Sequence, residues 1–356
     1  MSPLLAVADA LREVRPDVRF LFLGGRRGLE ADLARSAHLE FHATPLPTLR
    51  DPDSRVALAG HLALVPIAAA SALGRIVRFR PHVCVTSGGM GAVPVVVAAR
   101  AARVPVYLWE GNVVPGRVNR TLAGWSSHVG VTFAGSLALL PRGRTSVAGN
   151  PIRRSLLRWT KRDGRAALGL PADGAVVLIT GGSQGSQRVN DAAFVALARL
   201  LRRAAVIHVT GDAHLARAAA KRAALAEGDR ARYVPRAYLR DEMGAALASA
   251  DLVVCRAGSS SIAEALAFGA PMILIPFGAA ANAHQDANAR AVAELGAAVV
   301  LREGELDGDR FVAVVNGLLD DPERLGAMAQ AAREAGRPDA AGGIAREVLA
   351  LAGCVA

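Results

Sequence analysis

Cysteine, lysine and aromatic residues are all scarce in this sequence. The three cysteines, Cys84, Cys255 and Cys354, lie far apart and form no CxxC pair, which argues against a disulfide framework and against a cysteine-based zinc site. The eight histidines show no metal-ligand spacing, so we expect no metal. The longest apolar run, 62–73, is shorter than the ~18 residues of a membrane-spanning helix. No basic stretch followed by an apolar one opens the chain, so we expect no secretory signal.

The positive charge of the chain is carried almost entirely by arginine. The formal net charge is +11, and of the 42 basic residues only Lys161 and Lys221 are lysines. A charge of this size is typical of nucleic-acid-binding proteins, but the sequence has no helix-turn-helix spacing, RNP sequence or zinc finger. A basic enzyme that acts on an anionic lipid at an anionic membrane fits the charge equally well. We therefore expect no nucleic-acid partner.

Short apolar runs alternate with alanine-rich helical stretches along the chain. The runs are continuously apolar, as is typical of parallel strands that helices cover on both faces. This alternation predicts an α/β fold of two Rossmann-like, doubly wound parallel-sheet domains that face a cleft. The predicted strands are 19–23, 83–86, 104–109, 175–180, 205–210, 252–255, 272–276 and 298–301, and the predicted helices include 190–203 and 285–295.

The domain boundary is predicted at Gly149-Asn150-Pro151, because the strand–helix alternation restarts after it. We expect residues 1–150 to form the first domain and residues 151–335 the second. The helical composition of the chain end is broken at Gly336-Arg337-Pro338, so we expect residues 336–356 to form a helix that packs back on the first domain.

The first residues of the chain have helical spacing. Leu4, Val7, Ala8 and Leu11 predict a helix that leads into strand 19–23. In a doubly wound sheet the first strand is central, and ligands bind at the turn that follows it. Neither feature precedes the predicted helix, so we expect the two neighbouring strands to have unpaired backbone groups. This pattern predicts that the natural protein begins earlier, which the DNA upstream of the Met1 codon would test.

The strongest candidate site is Arg256–Glu264, which follows strand 252–255. A glycine and three serines open a helix there, and the first amide groups of a helix lack partners within it. Such an end favours anions, and serine hydroxyls can cap it or bind phosphate oxygens. Glu264 lies one to two turns into the helix, where its carboxylate could accept hydrogen bonds from both hydroxyls of a ribose. A capped helix with a surface glutamate is the competing interpretation.

Two weaker signals follow other strands of the second half. The turn Gly181-Gly182-Ser183-Gln184-Gly185-Ser186 is neither GxGxxG nor a P-loop, since no lysine follows. Its glycines would let backbone amides approach a diphosphate, although tight packing alone also selects glycine. Gln285, at the start of a helix, could contact sugar hydroxyls, and a polar helix cap is the alternative for that residue.

Three further segments carry polar residues. The block Glu110–Arg120 follows strand 104–109, and Gly149–Arg153 lies at the predicted boundary. Arg153 could reach a phosphate, although most exposed arginines are simply solvated. Asp51-Pro52-Asp53 spells the metal–diphosphate motif DxD, but it lies in a proline-containing stretch away from any strand end, so we interpret it as a turn.

Taken together, these segments resemble the MurG family, which comprises inverting transferases of the GT-B class. Five blocks match in order: 110–120, 149–153, 181–185, 256–264 and 284–289. The resemblance implies transfer of N-acetylglucosamine from UDP-N-acetylglucosamine to an undecaprenyl-linked muramyl-pentapeptide lipid, without cofactor or metal, at the cytoplasmic face of the bacterial cell membrane. It implies that Glu264 holds the ribose and Gln285 the sugar. The full set of residues that it places around the nucleotide sugar is Asn112, Arg153, Ser183, Ser259, Ser260, Ser261, Ile262, Ala263, Glu264 and Gln285.

The sequence departs from the family pattern in two places. The family's GGTGGH turn, whose histidine is the expected general base, would end just before Met1, so no residue of this sequence is assigned that role. Ser87-Gly88-Gly89-Met90 has methionine where the family usually has tyrosine, which affects the contacts expected with the acceptor. The reaction that the resemblance implies is a single displacement by the C4 hydroxyl of the muramyl sugar. Helix N-termini and Arg153 would stabilise the departing UDP.

Three alternative functions stay open at the level of the sequence. The first is another GT-B glycolipid transferase, which the block 112–120 argues against. The second is a sugar-nucleotide epimerase of similar fold, which would need acid and base groups in the cleft. The third is a UDP-sugar-binding pseudoenzyme, since the expected base is missing.

A possible membrane-docking surface lies in the first half. In residues 66–80, the apolar side chains of Ile67, Leu73, Ile76 and Val77 are followed by a cluster of basic residues, Arg75, Arg78 and Arg80. An apolar patch with an arginine rim suits anionic headgroups. An ordinary core-facing helix with a basic end is the competing interpretation.

Overall fold

A computed structural model describes residues 2–25, 30–45, 55–182, 185–278 and 283–354. The chain divides into two compact units, of which the first is Met1–Arg153 with Asp339–Ala356 and the second is Arg154–Pro338. Every strand pairing in the described part of both units is parallel. The predicted class of two parallel α/β domains is therefore confirmed.

The first unit contains two separate parallel sheets within the described ranges. Two strands pair as β1-β2, and four pair as β3-β4-β5-β6. The elements are α1 (Ser2–Val14), β1 (Leu21–Gly25), α2 (Glu30–Ser36), β2 (Glu40–Thr44), α3 (Arg55–Phe79), β3 (Cys84–Thr86), α4 (Val93–Ala101), β4 (Val106–Glu110), α5 (Arg117–Trp125), β5 (His128–Val131) and β6 (Thr145–Val147).

A large cavity interrupts the sheet arrangement of the first unit. It has a volume of about 830 Å³ and is lined by β1, by β3 and by the apolar residues Leu4, Val7 and Leu11 of α1. Among the described residues, β1 pairs only with β2 and β3 only with β4. Each of these two strands therefore has an edge without a strand partner in the described part of the chain, and both strands line the same cavity.

The second unit is built on one continuous six-stranded sheet of order β12-β11-β10-β7-β8-β9. From β7 the following strands β8 and β9 are added on one side, and from β10 the strands β11 and β12 are added on the other side. The topological switch point therefore lies between β7 and β10. Ligands of doubly wound sheets bind at the carboxyl edge at such a point. The elements are α6 (Arg154–Leu157), α7 (Lys161–Leu168), β7 (Ala175–Thr180), α8 (Gln187–Leu200), β8 (Ala204–Val209), α9 (Asp212–Ala223), α10 (Glu227–Arg230), β9 (Tyr233–Arg236), α11 (Glu242–Ser249), β10 (Leu252–Cys255), α12 (Ser259–Ala267), β11 (Met272–Leu274), α13 (Ala283–Glu294), β12 (Ala298–Val300), α14 (Gly308–Leu319) and α15 (Pro322–Ala335).

The last helix, α16 (Ala340–Leu351), belongs to the first unit. Its buried residues Ile344 and Val348 form one hydrophobic cluster with Val7 and Leu11 of α1. Glu347 reinforces this packing, because its carboxylate accepts hydrogen bonds from Tyr107 Oη at 2.6 Å and from Ser146 Oγ at 2.7 Å.

All eight strands predicted from the sequence are present, and their ends differ from the prediction by no more than two residues. The prediction missed β2, β5, β6 and β9. β2, β5 and β9 contain charged residues, histidine, glycine or proline, and β6 is the short segment Thr145-Ser146-Val147. β2, β6 and β9 each lie at an outer edge of a sheet. Edge strands need only one apolar face or none, so they carry a weaker hydrophobic signal than the central strands.

Candidate functional site

The N-terminus of α12 lies at the carboxyl end of β10, beside the switch point of the second unit. The N-cap position is Gly258, and no side chain caps the helix there. Ser259, Ser260 and Ser261 follow as the first helical residues and are half-buried. Because the capping residue is a glycine, the capping role considered for the serine hydroxyls is not what the structure shows. The first amide groups of an α-helix lack partners within the helix, which makes the start of α12 a candidate anion site.

The next three residues of α12 differ in what they can offer a ligand. The side chains of Ile262 and Ala263 are buried, with 0% and 8% of their surface exposed, so they present only backbone to the site. Glu264 is half-buried. Its carboxylate lies close enough to the end of β10 that burial, assisted by its charge, raises the pKa of Cys255 to about 12.

The turn after β7 lies on the other side of the switch point. A Cβ on Gly181 would lie 2.2 Å from Ser186 N, and one on Gly185 would lie 2.1 Å from Thr210 O. Gly182 has open space around it, but its φ is +89°. Packing therefore explains two of the glycines, and the left-handed backbone explains the third. The predicted ligand Ser183, together with Gln184, lies outside the described residues.

Gln285, in the first turn of α13, is hydrogen bonded to the loop after β11. Its Oε1 accepts from Phe277 N at 3.1 Å. One turn later, the buried Asn288 donates from Nδ2 to Ala257 O at 3.1 Å. These two bonds fasten α13 to the segments that follow β11 and β10, which places Gln285 at the same sheet edge as α12.

Arg256 forms contacts at this edge that the sequence interpretation did not predict. It follows β10 directly, is buried, and forms an ion pair with Glu303. Its Nη2 also donates to Ser186 Oγ at 2.7 Å. The motif Arg256–Glu264 contained this arginine, but no local pattern indicated Glu303, which lies 47 residues away in the chain.

The first unit has a separate polar cluster at the end of β4. Glu110 is only 2% exposed. Its Oε1 accepts from the backbone N of Asn112 at 2.8 Å and from Asn112 Nδ2 at 3.2 Å, and its Oε2 accepts from Asn119 Nδ2 at 2.7 Å. Asn119 Oδ1 in turn accepts from Gly89 N at 2.8 Å. The buried carboxylate thus orders both Asn112 and the turn that contains Gly89.

The same cluster explains the glycine at position 88 of that turn. Gly88 has a φ of +78°, and a Cβ there would lie 1.9 Å from Asn119 Oδ1. The sequence interpretation singled out Asn112 alone, although Glu110 and Asn119 belong to the same block. Their position at the end of a buried strand was the signal that could have found them.

Arg153 belongs to the first unit and is half-buried. The positive charge of Arg153 affects the pKa of Asp9 in α1. Burial raises the pKa of Asp9, while the charges of Arg12 and Arg153 act in the opposite direction. Arg153 is thus placed near the α1 side of its own unit.

His208 lies in the core of the second unit. His208 is buried and hydrogen bonded to Tyr233 Oη and Asn190 Oδ1, each at 3.0 Å, and burial lowers its pKa to about 3. In the described ranges, no group of three or more His, Cys, Asp or Glu residues could hold a metal ion. The DxD segment 51–53 lies outside those ranges.

The predicted membrane-docking segment lies on α3 and the residue that follows it. Ile67 and Val77 are 60% and 58% exposed, whereas Ile76 is buried in the core of the first unit. Leu73 is half-buried against the same core, so only two of the four apolar residues face outward. Arg75, Arg78 and Arg80 are exposed. Within the described residues, no helix is both long and apolar enough to span a bilayer.

Comparison with protein families gives two matches that together cover most of the chain. Residues 1–131 match the glycosyltransferase family 28 N-terminal domain, and residues 176–343 match the glycosyltransferase family 28 C-terminal domain.

Curated relatives are similar over nearly their whole length. A protein of Desulforudis audaxviator is 36% identical over 359 residues, which covers 99% of this chain and 95% of the relative. One of Moorella thermoacetica is 37% identical, over 98% of this chain and 94% of the relative. Both are named UDP-N-acetylglucosamine–N-acetylmuramyl-(pentapeptide) pyrophosphoryl-undecaprenol N-acetylglucosamine transferase.

Solved structures share the fold of this chain. MurG of Acinetobacter baumannii has a TM-score of 0.74 at 22% identity and covers 98% of this chain and 95% of its own. The UDP-GlcNAc 2-epimerase of Neisseria meningitidis, bound to UDP-GlcNAc, has a TM-score of 0.69 at 13% identity and covers 98% and 96%. At these identities the structures support the fold, and the near-full-length relatives distinguish between transferase and epimerase.

Proposed function

This chain belongs to glycosyltransferase family 28, and from that membership we infer that it transfers N-acetylglucosamine from UDP-N-acetylglucosamine to a lipid-linked muramyl-pentapeptide. The acceptor is undecaprenyl-diphospho-N-acetylmuramoyl-pentapeptide, and the product is the disaccharide lipid of peptidoglycan synthesis. The observation that carries this inference is similarity of 36–38% identity over nearly full length to relatives that are named for the reaction.

On the donor side, we propose that the second unit binds UDP-N-acetylglucosamine at the carboxyl edge of its sheet. Two segments with backbone amide groups, the start of α12 and the Gly181–Ser186 turn, follow the two strands that flank the switch point. Amide groups and the positive end of a helix stabilise phosphate charge without a metal. Glu264 is proposed to accept hydrogen bonds from the ribose hydroxyls, and Gln285 to contact the sugar.

On the acceptor side, we propose that the first unit binds the lipid-linked muramyl sugar. The support is the ordered polar cluster of Glu110, Asn112 and Asn119, which holds hydrogen-bonding groups at the end of a buried strand. Arg153 is proposed, as the resemblance implies, to stabilise the charge of the departing UDP.

The lipid acceptor requires the enzyme to work at a membrane, and we propose peripheral docking at the cytoplasmic face through α3. The exposed side chains of Ile67 and Val77 supply apolar contacts, and the exposed arginines at the end of the helix supply charge. Each basic residue near an anionic surface contributes about 1 kcal/mol.

In the proposed reaction, the C4 hydroxyl of the muramyl sugar attacks the anomeric carbon of N-acetylglucosamine from the face opposite to UDP. The new C–O bond forms as the bond to the diphosphate oxygen breaks, which inverts the anomeric configuration. A base accepts the hydroxyl proton, and we assign this role to no described residue. Helix amides stabilise the charge that develops on the departing UDP.

The test is a transfer assay with radiolabelled UDP-N-acetylglucosamine and the purified acceptor lipid in detergent micelles, followed by analysis of both products. The expected products are UDP and the labelled disaccharide lipid. UDP binding without any transfer would support a nucleotide-sugar-binding pseudoenzyme. Conversion of the donor to its 2-epimer would support the epimerase function instead.

A further inference from the structure

Arg256 connects four loops at the carboxyl edge of the second unit. Its Nη1 donates to Ile275 O at 3.4 Å and Pro276 O at 3.3 Å, in the loop after β11. Its Nη2 donates to Ser186 Oγ, at the end of the turn after β7, and to the Glu303 carboxylate. The guanidinium also lies 5.0 Å from the centre of the Phe277 ring. These contacts occupy both terminal nitrogens of the arginine.

Glu303 completes the network from the loop after β12. It opens the 3₁₀ turn Glu303–Glu305, and its Oε2 accepts from Gly278 N at 2.9 Å. Burial acts to raise the pKa of Glu303, but hydrogen bonds from Arg256 and Gly278 and the charges of Arg256 and Arg188 outweigh it and hold this pKa below its ordinary value. The carboxylate is therefore ionised at neutral pH, and the pair is a true ion pair.

The position of the pair matters more than its contribution to stability. The two side chains are 9% and 13% exposed, and at such depth the cost of desolvating both charges offsets most of their attraction. The pair instead fixes the relative positions of loops. β12, β11, β10 and β7 are consecutive strands of the sheet, and the contacts of the pair join the loops that follow all four.

Gly185, which precedes Ser186 in the same turn, has a second close contact. Gly185 lies against Thr210 O, which accepts a hydrogen bond from Asn190 Nδ2 at 2.8 Å. The described end of the turn, Gly185–Ser186, is therefore held by contacts with both Thr210 and Arg256.

We propose that Arg256 and Glu303 are positioning residues, which hold Ser186, at the end of the turn after β7, and the Phe277–Gly278 loop at the spacing that the diphosphate of a nucleoside-diphosphate sugar requires. This inference rests on the proposed function and deepens it. Arg256 acts through the backbone of these loops and does not itself bind phosphate, since its terminal nitrogens are already engaged with protein oxygens.

The experiment compares Glu303→Gln, Arg256→Lys and the double variant of the full chain by calorimetry with UDP and by NMR titration with uridine, which lacks phosphate. Each single variant should bind UDP about tenfold more weakly, since each loses charge-assisted hydrogen bonds that set the loops. Affinity for uridine should change less than twofold. The double variant should bind UDP no more weakly than the single variant with the larger loss of affinity, because both residues act through one contact.

A matched control is the exposed pair of Arg203 and Asp320, which lies in the same unit with Nη2 and Oδ1 2.9 Å apart. Arg203→Lys and Asp320→Asn should leave UDP affinity unchanged. In the transfer assay, the Arg256 and Glu303 variants should lower kcat/KM for the donor and leave the KM for the acceptor lipid unchanged. Should Glu303→Gln not fold, Glu303→Asp, which keeps the charge and shortens its reach, replaces it.

Three results would overturn the proposal: equal losses for UDP and uridine, additive losses in the double variant, or tighter UDP binding by Glu303→Gln. The last would mean that Arg256 is a phosphate ligand restrained by Glu303. Wild-type protein that binds UDP but transfers no sugar would overturn the proposed function alone, and the comparison of variants would still decide the role of the pair. Wild-type protein that binds no UDP would overturn both.

Discussion

Replacement of Glu264 by alanine is expected to remove the hydrogen bonds that hold the ribose of UDP. A hydrogen bond to a charged group contributes about 1.5–3 kcal/mol. Glu264 is half-buried, so water competes for the carboxylate and the loss for both bonds together should lie near about 2–3 kcal/mol. That corresponds to a decrease in UDP affinity of roughly 30- to 150-fold.

The assay is calorimetry with UDP and with 2′-deoxy-UDP, with and without chelator. Wild-type protein should bind the deoxy nucleotide more weakly than UDP, because one hydroxyl partner of Glu264 is missing. Glu264→Ala should bind the two nucleotides equally, since the residue that distinguishes them is gone. Chelator should change neither value.

The ligand pair separates a contact with ribose from general damage to α12. If Glu264→Ala binds UDP with wild-type affinity, the carboxylate does not contact the ribose. If the variant weakens UDP and 2′-deoxy-UDP by the same factor, the loss comes from the helix and the assignment fails as well. Binding that disappears with chelator would show that a metal, and not the helix end alone, holds the diphosphate.

Three further predictions concern packing, membrane binding and pH. Gly185→Ala should lower the free energy of unfolding by about 2–4 kcal/mol in urea titrations, because a Cβ would lie 2.1 Å from Thr210 O at a φ of +76°; Gly174→Ala, at a φ of +88° with no atom near, should cost less. Changing Arg75 and Arg78 to Glu should reduce co-sedimentation with vesicles rich in phosphatidylglycerol by at least tenfold, since each basic contact contributes about 1 kcal/mol; unchanged binding would show that α3 is not the docking surface. Burial lowers the pKa of His208 in the folded protein to about 3, below its value in the unfolded chain. Its stabilising contribution is therefore complete above pH ~6.5 and falls by about 1.4 kcal/mol per pH unit below that pH. The decrease in the thermal unfolding midpoint between pH 7 and pH 5 should be smaller in His208→Gln than in the wild-type protein.

The two units differ in how their polar residues can be recognised from the sequence. In the second unit, glycine turns and the serine run directly follow apolar strands, and the structure places both at the switch point of the sheet. The rule that parallel strands present their carboxyl ends at one edge was sufficient to bring them together. In the first unit, Glu110 also ends a buried strand, but no local pattern indicates that Asn119 folds back against it.

Apolar periodicity by itself determined the α/β class, the eight strongest strands and the opening helix, because a strand buried on both faces must be apolar at every position. The glycine turn after β7 was also visible in the sequence, but its cause was not: the structure shows packing at Gly181 and Gly185 and a left-handed backbone at Gly182. Only the tertiary structure decided which polar residues meet. Arg256 finds Glu303 across 47 residues, and the pairing depends on three strands being ordered side by side. The outward or inward direction of Ile67, Ile76 and Val77 was likewise decided by what α3 packs against, because a helix that is apolar on several faces does not specify which face the core will cover.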